Sequence, residues 1–385
     1  MASPTNPDTS QLRCWAEIDL SNLRHNADFL RKEVGDRCGI MAIVKADAYG
    51  HGLEHVVSCL MGHVDWFGVA NYQEAKRALK AAGSQSPSIL ILSPPTPAEI
   101  NPIIESGLSA SVSSIEEVTA FGEAAARLGT QARLHAVADT GMGRMGSLPD
   151  HFGELVATIK DHPNCELEGL ETHFPSADDD PDFTRAQIAS FSSIIQALAP
   201  ENACHLHIAN SAGLLGFQRN LSFATLARPG IALYGISPLE DHAPLRPVMS
   251  LKTRITLVRN IPTGTSISYG RTFISDKPMT VATLGVGYGD GYTRYLTGEE
   301  THVLIAGTRC PLLGRVTMDQ IVVDISHLDE PVACGDVATL IGEQGDESIT
   351  AKELATRAGT IPWEILTGIT SRVERVYVAS SATEA

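Results

Sequence analysis

Apolar and polar positions along the chain fall into two textures. From about residue 40 to 235, short apolar or β-branched runs alternate with longer stretches whose apolar residues recur at helical spacing. The runs predict strands at Ile40–Lys45, Trp66–Ala70, Ser88–Leu92, Ser109–Ser113, Arg133–Val137, Glu168–Phe174, His205–Ala209 and Ile231–Gly235. Between them, Tyr72–Ala82, Ser114–Leu128 and Phe183–Leu198 read as helices, the second opened by a capping box with Ser114 as N-cap. Eight strand–helix units in roughly 200 residues predict an α/β fold, and a closed (β/α)8 barrel of the TIM type over an open doubly wound sheet. No Gly-x-Gly-x-x-Gly follows the first strand, which weakens a nucleotide-binding alternative.

Beyond about residue 245 the helical stretches stop. Leu251–Ile261, Ser266–Gly270, Met279–Gly287, His302–Ala306, Gln320–Ile325 and Asp336–Ile341 follow as strands separated by Gly and Pro turn signals. Helix returns only at Ala351–Ala358. The expected organisation is therefore a flexible tail over 1–12, a barrel over 13–245 and a C-terminal mainly-β domain over 246–385, joined by a linker from Pro238 to Pro247.

Composition narrows the partners. The 29 Lys+Arg against 45 Asp+Glu give a formal charge of −16, which argues against nucleic acid or an anionic membrane surface. The 7 cysteines are scattered with no CxxC, so neither a disulfide framework nor a metal site is signalled, and a reducing compartment is expected. The N-terminus shows no basic-then-apolar leader and no run reaches transmembrane length; the protein is expected in the cytoplasm.

The first strand ends at Val44–Lys45–Ala46–Asp47–Ala48–Tyr49–Gly50–His51–Gly52. Barrel active sites sit at the C-terminal ends of the strands. A lysine desolvated there has a lowered pKa and can act as a Schiff-base nucleophile. Taken alone it is equally a snorkelling side chain. This nonapeptide resembles the pyridoxal-phosphate-binding signature of alanine racemases. The resemblance extends through Cys14–Leu20 with Leu23–Asn26, Ala138–Gly146, Gly169–Phe174, Ala209–Ala212, Ala227–Gly230, Ile267–Gly270, Gly287–Gly291 and Thr317–Gln320, in order and across both expected domains.

The resemblance implies a barrel followed by a β domain, in agreement with the pattern above. It implies pyridoxal 5′-phosphate on Lys45, and racemisation by two bases, Lys45 and the Tyr269 of a partner subunit, in a homodimer with shared sites. The product would be D-alanine for peptidoglycan. A phenol with an ordinary pKa near ~10 is a poor base at neutral pH and needs support; the resemblance supplies His173 and, behind it, Arg228. Arg228 would also face the pyridine nitrogen, where a permanently charged guanidinium weakens the electron sink and suppresses transamination. Tyr49, Asn210, Ser211 and Gly230 would hold the phosphate. Arg144, Met318, Asp319 and Tyr288 would form the substrate end and its approach. Without the resemblance, Tyr269 reads as a strand tyrosine, Arg228–Gly230 as a turn, Ser211 as a helix cap and Met318 as core.

Two positions depart from the pattern. Many alanine racemases carry a carbamylated lysine where this chain has Val137, so Arg144 needs another counter-charge, either a bound anion such as chloride or an acidic side chain such as Asp139. Ser371 stands where some members have a tyrosine, which would widen the mouth of the site. A broad-specificity or serine-directed racemase on the same scaffold is the nearest alternative. A barrel-fold decarboxylase would need an acidic partner for the pyridine nitrogen, against Arg228. A non-enzymatic cofactor carrier would not need the β domain bearing Tyr269.

Overall fold

The computed structural model describes residues 8–200, 204–239 and 244–379. They divide into two units, one within Leu23–Ala48 and Leu53–Arg246, the other within Met1–Asn22, Tyr49–Gly52 and Pro247–Ala385.

Strand β1 (Cys14–Asp19) belongs to the second unit. The first is built on β2 (Gly39–Ile43), β3 (Trp66–Val69), β4 (Ser88–Ile91), β5 (Ser109–Val112), β6 (Ala132–Val137), β7 (Cys165–Glu171), β8 (His205–His207) and β9 (Leu226–Ala227). They form one eight-stranded parallel sheet in the order β8-β7-β6-β5-β4-β3-β2-β9, a nearly closed barrel. Helices cover the outside, so both faces of a strand are buried; every residue of β3 and of β5 is buried, the polar Ser109 and Ser111 included. Helix Ile115–Leu128 begins on the expected capping box, with the Ser114 side chain accepting from Glu117 N–H and the Glu117 side chain returning to the Ser114 N–H. The expected helix at Tyr72–Ala82 is observed with those bounds, capped by Asn71.

One barrel strand is not where the pattern put it. The eighth is Leu226–Ala227, paired with Gly39 and Ile40 of β2. Ile231–Tyr234 is a buried 3-10 turn, ended by Gly235 at φ 84°. Pro229 lacks the N–H needed to continue a ladder, so the strand stops at Ala227 and the apolar run coils inward. There the Tyr234 hydroxyl donates to the Ile43 carbonyl at 2.9 Å.

In the second unit, β10 (Met249–Ile261) is the long central strand, followed by β11 (Ser266–Ile267), β12 (Phe273–Ile274), β13 (Met279–Leu284), β14 (His302–Ile305), β15 (Thr308–Pro311), β16 (Ile321–Asp324), β17 (Val337–Gln344), β18 (Glu347–Ile349) and β19 (Glu374–Val378). All but β11 and β12 join β1 in a nine-stranded sheet. The expected placing of residues 13–22 in the barrel is therefore corrected. β1 pairs antiparallel with β10 and parallel with β19, so Trp15, Ala16 and Ile18 bury their side chains in the β unit. Of the expected tail, residues 1–7 lie outside the described residues. Thr9–Gln11 forms a 3-10 turn whose carbonyl at Thr9, with that of Leu12, accepts from Arg254. Of the expected linker, residues 240–243 lie outside the described residues. All seven cysteines are free thiols. Among the described residues no helix is long and apolar enough to cross a membrane.

Candidate active site

Lys45 stands one residue past the buried run that closes β2. The chain then winds left-handed: Ala46, Asp47, Ala48 and Tyr49 all have φ between 52° and 54°. None is glycine, and each such residue costs ~1–2 kcal/mol relative to the right-handed form. Side chains from the barrel hold the turn. Glu74 accepts from the Ala46 N–H at 2.7 Å and the Ala70 N–H at 2.9 Å. Asp47 accepts from the Leu53 N–H at 3.2 Å and from Arg77, which also pairs with Glu54 at 2.7 Å. Strain of this kind persists only where surroundings over-determine it, and it concentrates at functional sites. Burial pulls the Lys45 ammonium below its ordinary pKa, the positive field of Arg144 adds to this, and Glu74 partly opposes it.

Arg228 lies nearby, just after β9, where the Pro229 carbonyl accepts from the Ile43 N–H at 3.1 Å. Its guanidinium is buried and almost fully engaged. Nη1 donates to His207 Nδ1 at 2.5 Å and to the His207 carbonyl at 2.9 Å, and lies 3.0 Å from Glu171 Oε2. Nη2 donates to the Thr172 carbonyl at 2.6 Å and to His173 Nδ1 at 3.3 Å. His173 is pushed down to about 3, first by burial and then by Arg228, Arg144 and Lys45, so it is neutral at physiological pH. Because Arg228 can only donate, His173 accepts at Nδ1 and carries its proton on Nε2.

Ser211 opens the helix Ser211–Phe217 directly after β8. Its Oγ accepts from the Gly230 N–H at 2.9 Å and the Ala232 N–H at 3.2 Å, which brings two of the expected phosphate residues together. The Asn210 side chain is spent on the scaffold, accepting from the Gly213 N–H and donating to the Phe174 carbonyl. Arg144 is exposed on the loop after β6, and among the described residues it makes no ion pair. Asp139 does not supply one: its carboxylate accepts from the Gly141 and Gly143 N–H groups and closes the loop.

Four expected site residues belong to the β unit besides Tyr49, whose hydroxyl burial raises to about 12 with a hydrogen bond to Trp363 in partial opposition. Tyr269 is 71% exposed. It projects from a turn in which Ser268, Gly270 and Arg271 all have positive φ, tied down by Ser268 Oγ donating to the Arg315 carbonyl at 2.6 Å. Tyr288 and Met318 are brought together, since Tyr288 N–H donates to the Thr317 carbonyl at 3.0 Å and Gly289 N–H to the Met318 carbonyl at 2.9 Å. Gly287 permits this approach; a Cβ there would lie 2.2 Å from the Thr317 oxygen. The Asp319 carboxylate pairs with Arg372 at 2.8 Å, and Arg372 lies 3.2 Å from Asp290. Nothing in the sequence alone assigns a role to Arg372, Glu171 or His207. The only trace of the last was two histidines, His205 and His207, two apart in one strand.

Two family models cover nearly the whole chain: "Alanine racemase, N-terminal domain" over residues 18–238 and "Alanine racemase, C-terminal domain" over 248–377. The alanine racemase of Geobacter sp. (strain M21) is 41% identical over 380 residues, covering 94% of this chain and 98% of its own. Among solved structures, the alanine racemase from Streptomyces coelicolor A3(2) superposes with a TM-score of 0.89 at 34% identity, covering 96% of this chain and 99% of that one. The alanine racemase from Bartonella henselae, solved with covalently bound pyridoxal phosphate, gives a TM-score of 0.86 at 28% identity over 95% of this chain and 100% of that one.

Proposed function

The chain belongs to the alanine racemase family and is an amino-acid racemase, and we propose that it interconverts L-alanine and D-alanine with pyridoxal 5′-phosphate held on Lys45. The observation that carries the assignment is the desolvated Lys45 ammonium, fixed by a left-handed turn in the field of Arg144 and Arg228. The donor set fits this cofactor. An amine of lowered pKa suits its aldehyde, the Ser211 hydroxyl, whose oxygen is held by the Gly230 N–H and whose proton is left to donate, suits its phosphate, and the Arg228 guanidinium suits its ring nitrogen. When bound, the cofactor withdraws electrons from the substrate and so acidifies its Cα–H.

Everything else falls to the side chains. Lys45 Nζ exchanges the Cα proton on one face, and Tyr269 of the partner subunit exchanges it on the other. Neutral His173 donates through Nε2 towards that phenol and favours its ionised form, with Arg228 fixing the tautomer. Arg144 holds the substrate carboxylate, and Met318, Asp319 and Tyr288 serve the substrate end and its approach. The exposure of Tyr269 on its own unit supports a functional homodimer, in which each site takes its second base from the other chain. A cytoplasmic enzyme supplying D-alanine for peptidoglycan follows from this reading.

A second reading, a racemase of wider range, is favoured by the small Ser371 beside Arg372. Both are tested by chiral analysis of the products from L-alanine, L-serine and L-lysine with purified protein and added cofactor. D-Alanine should dominate. Borohydride reduction and peptide mapping should place the cofactor on Lys45, and a label on another lysine overturns the assignment.

A further inference from the structure

Arg228 is the upper end of a buried chain of hydrogen bonds that runs down through the barrel. Arg228 Nη1 contacts His207 Nδ1 at 2.5 Å, His207 Nε2 contacts His135 Nδ1 at 2.7 Å, and His135 Nε2 contacts Glu168 Oε2 at 3.2 Å. Both imidazoles are fully buried. The ends of the chain fix its direction. A guanidinium can only donate, so His207 Nδ1 accepts and its proton is on Nε2. His135 Nδ1 then accepts, and its own proton is on Nε2, facing Glu168. A carboxylate can only accept, which agrees at the other end.

Two independent features build the chain. The β6–β7 ladder slips between Leu134 and His135: Leu134 pairs with Leu167 but His135 pairs with Gly169, leaving Glu168 as the extra residue of a bulge. Bulges re-aim side chains, and here the carboxylate is turned onto His135. Opposite the ring stands Gly169, where a Cβ would lie 2.2 Å from His135 Nδ1. Any larger residue would push the imidazole out of line. Against the cost of burial, hydrogen bonds from His135 and Ser109 hold the Glu168 carboxyl below its usual pKa, so it is an ionised acceptor.

We propose that His135 and Glu168 are positioning residues for Arg228: they hold the His207 proton on Nε2, so that a lone pair and not an N–H meets the guanidinium. With the opposite tautomer two N–H groups would collide at the contact, and Arg228 would tilt away from the place assigned to the cofactor ring nitrogen. The positioning role rests on the proposed reaction; the order of protons does not.

The test has two readouts on full-length protein. Side-chain 15N spectra of histidine, taken with and without pyridoxal phosphate, should show His207 and His135 neutral with Nε2 protonated and Nδ1 bare. With the cofactor, pyruvate released per racemisation turnover reports whether the ring nitrogen keeps its guanidinium partner. His135→Leu removes the acceptor and should raise that ratio roughly tenfold, the lower end of what partners that orient metal-ligating histidines contribute. His135→Asn places an amide oxygen near the lost Nδ1 and should restore most of it. Glu168→Gln keeps the volume but can donate as well as accept, so the forced tautomer should become a mixture. A proton on Nδ1 of His207 in the wild type overturns the chain. Unchanged partitioning in both His135→Leu and Glu168→Gln overturns the positioning role. If the wild type racemises nothing, the proposed reaction falls while the cofactor-free spectra still decide the order of protons.

Discussion

Val137 and Glu171 are register partners on adjacent barrel strands. The first occupies the position where many alanine racemases carry a carbamylated lysine, and the second brings a buried carboxylate alongside it. That carboxylate is committed elsewhere: Oε1 accepts from Ser111 Oγ at 2.5 Å, and Oε2 lies 3.0 Å from Arg228. Burial pulls the Arg228 pKa down and Glu171 opposes the shift, so the carboxylate is what allows a charged guanidinium inside the barrel.

Replacing Glu171 with Gln should leave that charge buried and uncompensated. Removing one partner of a buried ion pair costs about 3 kcal/mol or more. Denaturant unfolding of Glu171→Gln should show a loss of that order, with the Ser111 hydrogen bond retained. A loss under about 1 kcal/mol would mean that Arg228 is neutralised by another group.

Tyr269→Phe should nearly abolish racemisation while leaving cofactor binding intact, because only the phenolic oxygen is lost from an exposed side chain. In deuterated solvent, label uptake in a single turnover should then depend strongly on which enantiomer is supplied. Equal rates from both enantiomers, close to wild type, would remove Tyr269 from the mechanism.

Mixing Lys45→Ala with Tyr269→Ala subunits should restore part of the activity, since one of the two sites in each mixed dimer then has both bases. The measurement is activity after confirmed subunit exchange. Continued inactivity would count against a shared site.

Much of this was legible in the sequence. The barrel and the mainly-β unit follow from the two textures, and Lys45, Arg144, His173, Ser211, Arg228 and Gly230 are gathered in one unit. What the sequence hid has physical reasons. Ile231–Tyr234 is as apolar as a strand, but the Pro229 before it has no N–H to continue the ladder, and Ser211 Oγ takes the Gly230 and Ala232 N–H groups instead. β1 lies far from its partners along the chain, and pairing at such separations leaves no local signal. Glu171 and His207 matter through Arg228, and a contact between different strands is invisible until the register is known.

Acid should destabilise the fold through histidines that the folded state holds neutral. Unfolded histidine binds a proton below about pH 6.5, whereas folded His173 resists protonation down to about 3, and folded His207 is shifted the same way by burial. Between those values the unfolded state holds more protons, so stability is fully present above 6.5 and falls as pH drops. Each such group contributes about 1.4 kcal/mol per pH unit within that window. Unfolding free energies between pH 7 and 5 should therefore fall more steeply in the wild type than in His173→Asn. Parallel slopes would show that His173 protonates as readily folded as unfolded.

Val137 cannot be carbamylated, so activity should not depend on dissolved carbon dioxide. Asp139 is occupied by the Gly141 and Gly143 N–H groups, and Glu171 by Arg228. Arg144 has no ion pair among the described residues, although its field is felt at Lys45 and His173. A small anion is the expected counter-charge, and chloride is the abundant one. Exchanging chloride for gluconate at constant ionic strength leaves general screening unchanged, so any difference reports a specific site. Chloride should raise the thermal midpoint or the activity of the wild type and do neither in Arg144→Ala. The same response in both proteins would place the anion elsewhere. No response in either would mean that solvent alone screens the guanidinium, which its exposure on the loop after β6 permits.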